Sequence, residues 1–485
     1  MQSFTESQLM PTACQNAAAT HFLHEFWLAL GGQAGDPAHV QMTGDGALAS
    51  VFPVTDFATA AIAAAHLAVG ELLGQNLGTV PAITVDRRRA SLWFATSLQP
   101  VGWELPAQWD AVAGDYRAAD GWIRLHTNAP HHRQAALKVL KTAPERDAVS
   151  QAVLRWQVNE LERAVVDNQG CAAAMRTASA WREHPQGRAV ALEPLLHWLD
   201  AGAGPDSAGK PSNLPIHGQA VWQGSRERPL QGIRVLDLTR ILAGPVATRF
   251  LAGFGADVLR IDPHGWDEPG TVPEVVLGKR CARLDLRDPA DHAVLEQLLS
   301  EADVIIHGYR ADALARLGLD ANRRRELNPS LVDISLNAYG STGPWCGRRG
   351  FDSLVQMSCG IAEAGMRAAA SDRPVPLPVQ ALDHATGYLM AAAAVRGLTQ
   401  RLTTGRGVQV QASLARTALS LMSCPQPDAP SETFSSRNTA DYATDIEHTA
   451  WGPAHRLKPA GQIEGTPTRW DFPATTLGSA DASWR

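Results

Sequence analysis

Five short apolar runs between residues 233 and 336 constrain this chain more than any other feature. They are "IRVLDL" (233–238), "ADVLRI" (256–261), "CARLDL" (281–286), "DVIIHGY" (303–309) and "LVDISL" (331–336). Helix-spaced segments, "GPVATRFLAGFG", "ADHAVLEQLLSEA" and "RADALARLGL", separate them. Runs of this length suit strands, and strands alternating with helices predict a parallel sheet covered on both sides. An α/β fold is therefore expected. Hydrophobic residues make up 45% of the chain and charged residues 19%, which excludes a disordered protein. At 485 residues the chain exceeds one ordinary core, so it forms two domains or one large interlocked unit. A net charge of −6 and a pI near 6.2 offer no bulk attraction to nucleic acid or anionic membrane.

The Gly/Pro/Ser-rich stretch 200–215 reads as a linker between two halves. In the first half, "DYRAADGWIRLH" (115–126) reads as a hairpin turning at Asp120-Gly121. "HHRQAALKVLK" and "AVLRWQVNELERAVVDN" read as amphipathic helices. The most apolar run, "FATAAIAAAHLAVGELL", is interrupted by His66, Gly70 and Glu71 and is expected to be too short for a bilayer. Residues 425–485 look loop-like. Six scattered cysteines without a C-x-x-C pair fit a reducing compartment, and the opening stretch lacks a basic region followed by an apolar core, so a cytoplasmic location is expected. Residues 55–78 align with 382–405 without a gap, pairing Asp56 with Asp383, Thr59 with Thr386, Gly70 with Gly397 and Gly78 with Gly405. This reads as an internal repeat.

Several constellations are missing: no P-loop, no H-E-x-x-H and no G-x-S-x-G elbow. "GFGADV" (253–258) lacks the third glycine of a dinucleotide fingerprint and follows a helix, so Asp262 does not read as a ribose-binding acid and a nicotinamide cofactor is not expected. "PHHR" (130–133) reads as a solvated surface pair of histidines in preference to a metal site. Asp383, at the head of the alanine-rich stretch "ALDHATGYLM", is either a helix cap or a reactive acid. A helix N-terminus favours the ionised carboxylate in both cases, and the local residues do not decide between them.

The segment "GIRVLDLTRILAGPVATRFLAGFGADVLRID" (232–262) resembles the N-terminal signature of the family III CoA-transferases, which include formyl-CoA and carnitine CoA-transferases and α-methylacyl-CoA racemases. The resemblance continues through 277–289, 302–319, 328–361 and "ALDHATGYLMAAAAVRGLTQRLTTGRGVQVQASL" (381–414), about 190 residues in all, with a similar closing segment. "AGDYRAADGWIRLH" and the helices ending in "TASAWREHPQGRAV" resemble the family's small domain, here placed ahead of the large one. The resemblance implies a Rossmann-like parallel-sheet large domain with a smaller α+β domain. The corresponding division is 1–200 as a partial repeat carrying an Asp-helix and the small domain, 201–228 as linker, 229–424 as the CoA-binding catalytic domain, and 425–485 as a tail packing on it.

By the same resemblance Asp383 falls on the family's nucleophilic aspartate. Arg240, Ile241 and Leu242 fall where the thioester and CoA are lined, Leu284, Asp285 and Arg287 where the adenine nucleotide is held, and Tyr309 and Arg316 at further CoA contacts. Guanidinium binds phosphate bidentately, which suits Arg287 and Arg316, although each alone reads equally well as a solvated surface arginine. Pro263 stands where some transferases have a basic residue. Phe351 stands where racemases carry a histidine, and phenylalanine cannot move a proton, so transfer is preferred over racemisation. His384 neighbours Asp383, but its side chain should diverge on a helix. The expectation is a CoA-transferase acting on acyl-CoA and a carboxylic acid as a homodimer, with no metal, no NAD, no nucleic acid and no membrane partner. An acyl-CoA racemase or isomerase using Asp383 as base, or an inactive CoA-binding protein, are the alternatives.

Overall fold

The computed structural model describes residues 17–199, 222, 224–309, 312–424 and 433–485. The expected linker, 200–215, lies outside them. Seven strands form the main sheet: β1 (Leu196–Leu199), β2 (Arg234–Leu238), β3 (Asp257–Asp262), β4 (Arg280–Arg283), β5 (Val304–His307), β6 (Val332–Asn337) and β7 (Gln409–Ser413). Their order is β4-β3-β2-β5-β6-β7-β1. Every pairing is parallel except that of β7 with the edge strand β1. β2 to β7 thus follow the doubly wound order, with its switch point between β2 and β5, where a crevice opens beyond the strand ends. The five apolar runs are β2 to β6. β7 and β1 carry polar or aromatic residues at alternate positions and escape that pattern.

Five helices position the site: α1 (Val54–Leu77), α2 (Ala243–Gly253), α3 (Asp352–Cys359), α4 (Ala381–Thr404) and α5 (Leu414–Ser423). α1 has 24 residues and is apolar enough to cross a membrane, against the expectation that this run is too short, yet 89% of its apolar window is buried within the protein. It is a core helix that packs along α4. Small residues let the helices approach closely: a Cβ on Gly387 of α4 would press on the Ala243 carbonyl of α2. α1 and α4 end alike, with left-handed caps at Gly78 and Gly405 closing on Gly74 and Arg401.

The repeat extends beyond these helices. The strands Val40–Thr43 and Ile83–Asp86 pair in parallel across α1, as β6 and β7 do across α4. Asp86 caps the helix Arg87–Trp93 by accepting from the Arg89 N–H, and Ser413 caps α5 by accepting from the Arg416 N–H. Each unit takes an antiparallel edge strand from a distant segment. β1 closes the β7 side, and Gly461–Ile463 closes Ile83–Val85. Leu98–Pro100 likewise joins the hairpin Tyr442–Thr449 and Gly452–Leu457, so much of the expected loop-like tail is β-structure.

The smaller domain holds the expected hairpin, Gly114–Arg117 with Trp122–Leu125, plus the strand Ala172–Ala174. Helices Pro130–Leu140, Arg146–Val153 and Val158–Asp167 cover it. The last two replace the one long helix expected at 152–168, the chain turning at Trp156 where its N–H bonds back to Val153. Cys171 and Ala173 of this domain pack on Leu354 and Met357 of α3. The small domain therefore stands as a wall beside the crevice.

Candidate active site

The crevice at the switch point is a cavity of about 360 Å³. Thr239 to Gly244 form one side, in the loop after β2 and the start of α2. Gly308 and Tyr309 follow β5, Asn337 and Ala338 follow β6, and Leu414 follows β7. Asp383 lines the cavity from the first turn of α4 and is itself buried. Of the residues expected from sequence, Asp383, Arg240, Ile241, Leu242 and Tyr309 come together here. Leu284, Asp285, Arg287 and Arg316 do not line it. Leu284 packs in the core with Leu236 and Leu259. Arg287 is 83% exposed and paired with Asp285 at 2.9 Å, and Arg316 pairs with Asp312 at 3.1 Å.

The loop after β2 is held under strain. Ile241 has φ +68°, a left-handed backbone that a β-branched residue rarely adopts. Both Glu268 carboxylate oxygens accept from its N–H at 3.1 Å, and Glu268 is fixed in turn by the Trp266 indole at 2.6 Å and by Arg260 at 3.4 Å. Arg240 lies between the Trp266 and Tyr309 rings, 4.6 and 5.1 Å from their centroids, and donates to the Tyr309 hydroxyl at 2.9 Å. In the first turn of α2 Pro245 has no N–H and the Val246 N–H bonds the Leu242 carbonyl at 2.8 Å, so the N–H groups of Ala243 and Gly244 are the donors this turn leaves for an anion or a polarised carbonyl.

Asp383 does not stand alone. Asp352, at the start of α3, accepts from the Asp383 backbone N–H at 2.9 Å and from the Gln356 side chain at 2.5 Å. Burial first, and then the Asp352 charge, push the Asp383 carboxyl well above the usual carboxylate range. Burial also raises Asp352, to about 6. Asp352 sits within the "RRGFDSL" segment, but sequence reasoning weighed only its neighbour Phe351. An acid one residue from a family-aligned position was the available signal.

The "PHHR" pair divides: His131 is exposed, as expected, while His132 is buried. Both line the cavity, and neither ring nitrogen of His132 has a protein partner. Burial lowers its pKa to about 3, so it is a neutral imidazole. The helix Pro130–Leu140 turns this face inward because the small domain packs on α3. Phe351 is sandwiched nearby, its ring 3.7 Å from the parallel His126 ring. His384 diverges from Asp383 as expected and stacks on Phe94 at 5.1 Å. The loop before α3 is tied to the small domain by Arg348, which bonds Glu162 at 3.0 Å and the Ala172 carbonyl at 2.7 Å.

The repeat mate of Asp383 has a different setting. Asp56 forms a buried ion pair with Arg87 at 2.6 Å. Arg87 opens the helix after Ile83–Asp86, the place that Leu414 takes after β7.

A doubly wound sheet with a buried carboxylate at a helix start, lining the same cavity as a strained loop at the switch point, defines an α/β enzyme-like site. Residues 230–453, a little under half of the chain, match the family model described as CoA-transferase family III. An acyl-CoA transferase from Gibberella moniliformis is 28% identical over 321 residues, 62% of this chain and 54% of the relative. A succinate–glutarate CoA-transferase from Agrobacterium fabrum is 32% identical over 209 residues, 39% of this chain and 52% of the relative. The chain thus spans about half the length of the curated relatives it matches. A solved CAIB/BAIF family protein from Brucella suis is 24% identical, with a TM-score of 0.36, over 47% of this chain and 65% of that one.

Proposed function

We propose that the protein is a CoA-transferase that moves coenzyme A between an acyl-CoA and a free carboxylic acid, with Asp383 as nucleophile. The observation that carries this reading is the buried Asp383 in the switch-point cavity, opposite Arg240 to Gly244. The ionised carboxylate attacks the thioester carbonyl carbon and CoA leaves as thiolate, giving a mixed anhydride. The thiolate then attacks the aspartyl carbonyl and expels the first acid, leaving an enzyme–CoA thioester. An incoming carboxylate repeats both steps in reverse and departs as the new acyl-CoA, restoring Asp383. CoA enters as a substrate, and no metal or redox group takes part in these steps. The N-terminal turn of α2 offers donors to the oxyanion of each tetrahedral intermediate. Arg240 lies where CoA phosphate or thioester would pass, while Leu284, Asp285, Arg287 and Arg316 are assigned to the outlying nucleotide end.

Asp383→Asn keeps shape and capping but is not a competent nucleophile. With a panel of acyl-CoAs and free acids read by mass spectrometry, it is expected to lose transfer by several orders of magnitude and the enzyme-bound CoA adduct entirely, while CoA still binds. Near-normal turnover in this variant would refute the covalent mechanism, and CoA binding without turnover in the parent protein would mark an inactive binder.

One observation favours a second reading, an acyl-CoA racemase or isomerase. Phe351 removes one proton-moving group, but His132 supplies an imidazole to the same cavity from the small domain. Uptake of solvent deuterium at the α-carbon of an acyl-CoA, lost in His132→Ala, would support it over transfer.

A further inference from the structure

Two buried carboxylates meet at the head of α4, and only one of them has a part in the proposed chemistry. Asp352 is 1% exposed and is bound to the Asp383 backbone. Gln356, which donates to Asp352, also accepts from the Leu377 N–H and so anchors the pair to the segment leading into α4. We propose that Asp352 is a positioning residue for Asp383: it pins the first turn of α4 through the Asp383 N–H and sets a second buried carboxylate next to the nucleophile's turn. The proposal rests on Asp383 acting as the nucleophile.

Two carboxylates in one buried place do not both ionise without a cation between them. The charged and titratable groups around Asp383 are engaged elsewhere. Across the cavity, Arg240 is held by Tyr309, Arg348 by Glu162 and Arg349 by Gln169; desolvation lowers the pKa of His131, and burial lowers that of His132 to about 3. Arg124, in the small-domain hairpin, acts on Asp352 while bound to Asp115 at 2.8 Å. On the elements packed along α4, Asp56 is paired with Arg87, Glu71 with Arg396, Arg249 with Glu274 and Asp333 with Arg324. His66 lies against Phe250 and Phe254, and Arg416 donates to the Glu193 carbonyl. Asp352 is the charge that acts on Asp383.

The chemical consequence lies in the covalent intermediate. When Asp383 becomes a mixed anhydride or a thioester it loses its charge, and the repulsion from Asp352 ends. The second carboxylate thus raises the free enzyme relative to the adduct and favours adduct formation. The sign with pH follows. Attack needs Asp383 without its proton, and burial and the Asp352 charge both oppose that ionisation, so adduct formation falls off on the acid side of an apparent pKa set above that of an ordinary aspartate.

The test is the pH dependence of the rate and extent of enzyme–CoA adduct formation, measured by intact-protein mass spectrometry on the full chain with an acyl-CoA that it turns over. In the parent protein the acid limb is expected well above the range of an ordinary aspartate, and a rate flat from about pH 5 to 8 overturns the proposal. Asp352→Asn keeps an acceptor for the Asp383 N–H and removes the charge. It is expected to move the limb down by about one pH unit or more and to lower the equilibrium fraction of adduct. A folded variant with an unmoved limb and unchanged adduct fraction overturns the proposal, and if the variant does not fold, the parent profile decides alone. An adduct forming in Asp383→Asn would instead overturn the nucleophile assignment.

Discussion

Asp56 and Asp383 show how one residue type at equivalent helix positions acquires different chemistry. Both lie in the first turn of a 24-residue core helix. Beside Asp383 the chain places Leu414, and the carboxylate faces a cavity. Beside Asp56 it places Arg87, and the carboxylate is consumed by an ion pair with side chains 6% exposed on both partners. Asp56→Asn is therefore expected to leave transfer and CoA affinity near those of the parent, and loss of catalysis in a folded variant would contradict this. Arg87→Leu strands a buried charge and should cost about 3–5 kcal/mol in a urea unfolding curve. A loss below about 1 kcal/mol would show that Asp56 is solvated. At this scale the sequence was legible where a motif carried the residue: Asp383 and the run Arg240 to Leu242 needed only alignment. It was silent on Asp352, whose partner, the Asp383 N–H, lies on another helix, and on His132, whose place in the cavity depends on the small domain packing against α3, a contact between residues more than 150 positions apart.

At the scale of elements, α2 and α4 determine how deep the site lies. Their close approach depends on Gly387, where any side chain meets the Ala243 backbone. Gly387→Val is expected to destabilise the protein by roughly 1–3 kcal/mol and to impair transfer more than CoA binding, because the Asp383 turn shifts relative to the loop after β2. Unchanged kcat in this variant would argue that the helix contact does not set the site. β2 to β6 were readable as short apolar runs alternating with helical segments. β1 and β7 were not, since "LLHWLD" and "VQVQAS" mix polar and apolar positions as strands near a sheet edge do. The break between Arg146–Val153 and Val158–Asp167 also escaped notice, because the apolar spacing runs through Trp156 without a proline or glycine to mark it.

For the whole molecule, the first half is a structural component of the second. It supplies β1 to the main sheet, His131 and His132 to the cavity and the buried helix α1 to the core. A fragment 216–485 expressed alone should be insoluble or inactive, since the face of α4 that α1 covers would meet water. Supplying 1–215 as a separate chain tests whether covalent linkage is needed. A soluble, fully active 216–485 fragment would show the first half to be dispensable. The exchange of edge strands also has a bearing on synthesis. The unit containing α1 receives its third strand from Gly461–Ile463, and the main sheet takes its edge from Leu196–Leu199. A ribosome must therefore deliver the chain as far as Gly461–Ile463 before the early sheet acquires its last neighbour, and until then the nascent protein waits with an open edge. Such late, distant pairings slow folding and leave strands exposed to unrelated partners. A truncated product would then be a candidate for chaperones and proteases, with no route to becoming a smaller working enzyme.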